Sequence, residues 1–231
     1  MKYASSSDSI ERSTSVGVIA ECIKNMKTEI TPSTSLLLKL LLHRMSDEDS
    51  ETKSNAAYAI GLLQEYSSNT QEILKNFPTI LSKLEPLLHT DEARCKDNAA
   101  GCVSRMILTH RANMPVAQVL PALVDILPLK EDFEENEPVY QMIVQLCTSD
   151  IFIIPEMLWC TDMYVSTDSE NDQTIIPLTP QLLPIIAEVM APVPENQIKD
   201  ETREKLTQLV KYIAGKSPQE VRKYETLAAL V

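Results

Sequence analysis

A short pattern of small residues opening on a basic one occurs three times along the chain. Arg12-Ser13-Thr14-Ser15-Val16-Gly17-Val18-Ile19-Ala20, Lys53-Ser54-Asn55-Ala56-Ala57-Tyr58-Ala59-Ile60-Gly61 and Lys96-Asp97-Asn98-Ala99-Ala100-Gly101-Cys102-Val103 start 41 and 43 residues apart. Three of the four glycines, Gly17, Gly61 and Gly101, lie inside them. Glycine inside a helix costs about 1 kcal/mol relative to alanine, so its recurrence predicts helices that a neighbouring backbone approaches closely. A second series alternates with the first: Phe77-Pro78, Leu120-Pro121 and Leu183-Pro184, each followed by apolar residues and by a further proline at Pro86, Pro128 or Pro192. Proline bends a helix or sets its entry, so these segments read as the outer partners of the small-residue helices.

Helix pairs recurring at about 40 residues predict an all-α superhelix, a solenoid of the HEAT type. The tetratricopeptide period is shorter, and no ankyrin Thr-Pro-Leu-His stands in the sequence. Only 5% aromatic residues and four glycines also argue against a strand-rich fold. The expected organisation is one repeat array over residues 1–231. It comprises a lone inner helix at 10–26, pairs at 33–66, 71–112, 115–150 and 179–213, an acidic insertion loop at 159–176 and a closing helix at 217–230. A first unit with only its second helix reads as a chain starting inside a longer array.

Several classes of function are disfavoured. The formal charge is −12, opposite to what phosphate contacts demand of a nucleic-acid binder. The longest apolar run, Leu36 to Leu42, contains Lys39 and is far short of the ~20 residues that span a bilayer. The Ser-rich start has no apolar core of a signal peptide. Cys22, Cys95, Cys102, Cys147 and Cys160 show no zinc-ligand spacing and read as free thiols. His43, His89 and His110 stand in no nucleophile motif and read as solvated, and Glu131 to Glu137 lacks the glycine-centred calcium loop. No cofactor, no metal and no catalysis are expected, although a thiol enzyme using Cys95 or Cys102 is a distant alternative.

Acidic residues gather where the inner helices are expected to begin: Asp47, Asp49, Asp91, Asp97 and the run from Glu131 to Glu137. Such residues also complement the positive ends of helices. Asn55 and Asn98 share one register, Glu134 falls near the same point of the next unit, and Tyr58 follows Asn55 by one turn. Glu21 on the first inner helix is placed to reach this stripe. Carboxylates, an amide carbonyl and a tyrosine face suit a lysine ammonium. An Asn near a helix start is also a common cap, which is the competing reading for either Asn alone.

The small-residue segments, together with Val119-Leu120-Pro121-Ala122-Leu123-Val124-Asp125-Ile126-Leu127-Pro128-Leu129-Lys130-Glu131-Asp132 and the following Glu134-Glu135, resemble the C-terminal repeats of the importin-β (karyopherin-β) superfamily, importin-four type. The resemblance implies a nuclear transport receptor carrying basic cargo, such as core histones and ribosomal proteins, through contacts with nuclear pore proteins. It implies shuttling between cytoplasm and nucleus, and binding of the GTPase Ran through N-terminal repeats outside this chain. Carried over by register, its lysine-recognising (nuclear localisation signal) surface comprises Glu21, Asn55, Tyr58, Asn98, Glu134 and Glu135. The alternative is a HEAT scaffold or regulatory subunit that holds an assembly through apolar ridges.

Overall fold

Aspartate and asparagine caps set the helix starts in the first half of the chain. Asp8 accepts hydrogen bonds from the N–H groups of Ile10 and Glu11 at 2.8 and 3.1 Å, opening α1 (Ser9–Met26). Asp49 accepts from Thr52 N–H at 2.7 Å to open α3 (Ser50–Tyr66), and Asn69 accepts from Glu72 N–H at 3.3 Å to open α4 (Thr70–Leu88). Helix α2 spans Thr34–Arg44 and α5 spans Ala93–His110. Further along lie α6 (Val116–Ile126), α7 (Asn136–Thr148), α8 (Thr179–Met190) and α9 (Asp200–Lys216). Instead of one closing helix, two single turns follow, α10 (Pro218–Val221) and α11 (Glu225–Ala228). The computed structural model describes residues 2–148, 179–191 and 198–231; the expected loop 159–176, Pro192 and Cys160 lie outside them. The described residues contain no strand, and the chain is an all-α solenoid of the HEAT type.

The chain divides into two compact units: residues 1–116 with 129–139, and residues 117–128 with 140–231. In the first, α3 packs between α1 and α5, while α2 packs on α3 and α4 on α5. Sandwiched on both sides, α3 and α5 are buried nearly all round, through Ala56, Ala57, Ile60, Leu62 and Leu63 in one and Ala99, Ala100, Cys102, Val103 and Met106 in the other. Helix α4 instead buries one stripe, Ile73, Phe77, Ile80, Leu84 and Leu87, and leaves its other face to water. Pro78 and Pro86 lie inside that helix, as the alternation of small-residue and proline helices predicts.

Two of the glycines do what close packing requires. A Cβ on Gly61 would stand 3.0 Å from Cys102 Cα, so α3 and α5 meet backbone to backbone. At Gly101 the approaching group is a side chain: a Cβ there would lie 1.5 Å from Glu135 Oε2. Gly17 is different, with Asn55 Nδ2 at an ordinary 3.5 Å.

In the second unit, α8 buries Leu182, Leu183, Ile185, Ile186 and Val189. Tyr140 donates its hydroxyl to Ile185 O at 3.4 Å. Helix α9 contributes Leu206, Leu209, Val210 and Ile213, and the two closing turns insert Val221 and Leu227, each fully buried. Burying side chains of this size contributes about 1.5–3 kcal/mol apiece, so even single-turn helices are held in place.

His110 departs from the solvated state expected of it. Its ring meets Phe77 edge-on at 5.5 Å and 72°, and burial lowers its pKa. His43 and His89 are exposed.

Candidate functional site

The register shared by Asn55 and Asn98 marks a structural device. Asn55 Nδ2 donates to Ser13 O in α1 at 3.1 Å, and Asn98 Nδ2 donates to Ser54 Oγ in α3 at 2.9 Å. Each amide ties its helix to the small-residue helix before it, so neither Asn is a cap. Asn98 is 1% exposed and stands between helices, out of reach of solvent. Asn55 is half-buried and still lines open space.

That space is a groove of about 470 Å³ between α1 and α3, lined by Ser13, Gly17, Val18, Glu21, Glu51 and Asn55 among others. Glu21 is exposed on its wall and makes no ion pair among the described residues. One helical turn further along both helices stand Lys24 and Tyr58.

Lys24 Nζ meets Glu134 Oε2 at 3.0 Å, bridging α1 to the 3-10 turn Phe133–Glu135. Hydrogen bonding to Glu134 and to Tyr58 holds the Lys24 ammonium above the usual lysine range. The Tyr58 phenol is pushed up by burial, against the pull of Lys24. The face of the Tyr58 ring is covered by Arg105, whose guanidinium carbon lies 5.7 Å from the ring centroid. That guanidinium takes one face of the ring, and the Tyr58 hydroxyl edge is turned to Lys24.

Glu135 is not a surface group. It is fully buried and takes Arg105 in a two-pronged pair, Nη1 to Oε2 and Nη2 to Oε1, the latter at 2.9 Å. Burial drives the carboxyl above its ordinary range against the pull of Arg105. Arg105 Nε also meets Glu65 at 3.0 Å, so one guanidinium joins α3, α5 and the turn. Adjacent Glu134 points outward with 64% of its side chain exposed. Within the pair Glu134-Glu135, one carboxylate builds and the other faces solvent.

Asp97 also differs from the sequence expectation. It lies inside α5, not in a turn, and its Oδ2 accepts from the N–H groups of Lys130, Glu131 and Asp132 at 3.0, 2.7 and 2.9 Å. This three-amide cradle fixes the loop that leads to Glu134. Asp47 likewise does more than face a helix end: it takes Arg12 at 2.8 Å and Arg44 at 2.7 Å.

Lys24 and Arg105 are not among the residues the pattern singles out. Arg105 carries a readable signal, as a charge inside an otherwise small and apolar helix run. Lys24 carries none beyond its place three residues after Glu21. The alternative thiol chemistry finds no activated sulfur at Cys95 or Cys102, because burial pushes the first to about 11 and the second to about 12. No group of residues able to hold a metal occurs among the described residues, and no described helix is long and apolar enough to cross a membrane.

No family model matches the chain. A solved engineered protein aligns with 99% of it, covering 96% of that protein at a TM-score of 0.52 and 14% identity, a likeness of fold. Among curated proteins, a probable importin subunit beta-4 of Schizosaccharomyces pombe is 34% identical over 100% of this chain and 20% of its own length. The Importin-4 proteins of Homo sapiens and Mus musculus are 30% and 28% identical over 88% of the chain and 17% and 16% of their own. The chain thus spans about a fifth of the relatives it matches. Their agreement along nearly all of it, on a repeat array of paired helices, shows that the chain belongs to the importin-β family.

Proposed function

We propose that the chain forms part of a nuclear import receptor and that its α1–α3–α5 layer binds lysine-rich segments of basic cargo, of the kind found in histone tails and ribosomal proteins. The observation that carries this reading is the Lys24 ammonium. Two elements far apart in sequence, α3 and the turn before α7, converge through Tyr58 and Glu134 on the ammonium group that α1 carries. A fold that builds such a position has the chemistry to take a lysine from outside. Glu21 and Asn55, one turn away in the groove, supply a neighbouring carboxylate and amide. The net charge of −12 adds long-range attraction for a basic tail. Contacts with Ran and with pore proteins, and shuttling between cytoplasm and nucleus, belong to the same reading of the longer receptor.

The test is titration of the chain with a labelled lysine-rich histone-tail peptide across a salt series. Affinity should fall steeply with salt, and Glu21→Lys with Glu134→Lys should weaken it about tenfold or more. Both substitutions are at exposed carboxylates, so the fold survives them. Binding that ignores salt and both substitutions points to an apolar scaffold and overturns the reading.

A further inference from the structure

We propose that Lys24 is an internal competitor, occupying the position that a cargo lysine takes and leaving it when cargo docks. The inference rests on the lysine-binding reading above and concerns its regulation. Lys24 is 40% exposed and Glu134 64% exposed in their side chains, so the pair is wet; one hydrogen bond joins it, and the Tyr58 hydroxyl gives the ammonium a second partner. Exposed ion pairs of this kind contribute little to stability, which makes the contact easy to exchange. The neighbouring pair contrasts with it: Arg105 is 8% exposed, Glu135 is 0% exposed, and two hydrogen bonds join them. Arg105 is thus a fixed part of the wall, and Lys24 is the movable cation.

The surroundings permit the exchange. Lys24 sits in the last turn of α1 on a long flexible stem, and the groove beside Glu21 and Asn55 is open. An ammonium swinging along α1 by one turn travels about 5 Å, within the reach of a lysine side chain, toward the uncompensated Glu21. The incoming ammonium then inherits Glu134 and the Tyr58 hydroxyl, and no charge is left unpaired. Occupied by its own lysine, the site discriminates against single weak cations and yields to a peptide that brings several.

The experiment compares the wild-type chain with Lys24→Met, Lys24→Arg and Lys39→Met, using the same labelled lysine-rich peptide. Lys39 is exposed on α2, so Lys39→Met removes an equal charge without vacating the position. Lys24→Met should bind about five- to tenfold tighter than wild type, Lys24→Arg near wild type, and Lys39→Met within about twofold, given the screening of distant charges. In the nitrogen NMR spectrum of lysine ammonium groups, the Lys24 signal should shift on peptide addition. Equal affinities for Lys24→Met and Lys39→Met overturn the competitor while leaving the cargo reading intact. Weaker binding by Lys24→Met makes Lys24 part of the frame and also overturns it. Absence of binding by all four proteins overturns the cargo reading itself.

Discussion

Gly101 and Glu135 occupy one space: a methyl group on the glycine would lie 1.5 Å from the carboxylate Oε2. The bare backbone of α5 lets the carboxylate close on Arg105 one turn further along the same helix. Replacing Gly101 with Ala should therefore destabilise the chain by up to about 3–5 kcal/mol, the cost of a buried ion pair that loses one partner. At Gly17, where Asn55 leaves ordinary room, the same change should stabilise by up to about 1 kcal/mol through helix propensity. Urea unfolding of the two variants decides the point, and similar gains at both positions would contradict the packing described.

Asp97 holds three consecutive amides with one oxygen. Hydrogen bonds to a charged acceptor contribute about 1.5–3 kcal/mol each, and an amide oxygen only part of that. Asp97→Asn is expected to lose about 2 kcal/mol of stability and to speed hydrogen exchange at Lys130, Glu131 and Asp132. Unchanged exchange there would mean that the loop is fixed by other contacts.

Acid should loosen the joint between α1 and the end of α2. Burial alone would raise the Asp47 pKa, but hydrogen bonds from Arg12 and from Asp49 N–H, with the charges of Arg12 and Arg44, hold it below its ordinary 3.8. A carboxyl lowered in the folded state contributes stability that is present above its unfolded pKa and is lost as pH falls through the folded value. Thermal melts should therefore drop below about pH 4, and Asp47→Asn should be less stable at pH 7 with a flatter acid limb. A variant limb as steep as that of wild type would assign the acid response to other carboxyls.

Thiol reactivity should sort by position. Cys22 is exposed, whereas Cys95 and Cys102 are buried and their thiols pushed up to about 11 and about 12 by desolvation. Alkylation of the native chain near neutral pH, read by peptide mass mapping, should modify Cys22 first and reach the other two only after denaturant is added. Early labelling of Cys102 would show that the seam between α3 and α5 opens readily.

The layered pairing of helices is legible in the sequence because Gly61 and Gly101 record distances between elements and Pro78 and Pro86 mark the outer layer. The site is legible only in outline. Register places Asn55 and Asn98 at equivalent points but cannot say which way an amide faces, and both face the preceding helix. Glu134 and Glu135 are adjacent and chemically alike, yet the 3-10 turn sends one outward and the other beneath Arg105. The native cation Lys24 escapes pattern reasoning because its partner stands 110 residues away.

The seams on the two sides of α3 are unequal, and that difference has a mechanical meaning. Against α5 the helix meets backbone at Gly61 and is riveted by Arg105, so a load across that seam encounters atoms already at their limit of approach. Against α1 it reaches Gly17 and Ser13 only through the tip of its own Asn55, beside an open groove. Within this unit the α1–α3 seam is the compliant one, where a bending force is absorbed first, and the hydrogen bond between Lys24 and Tyr58 across it registers the strain.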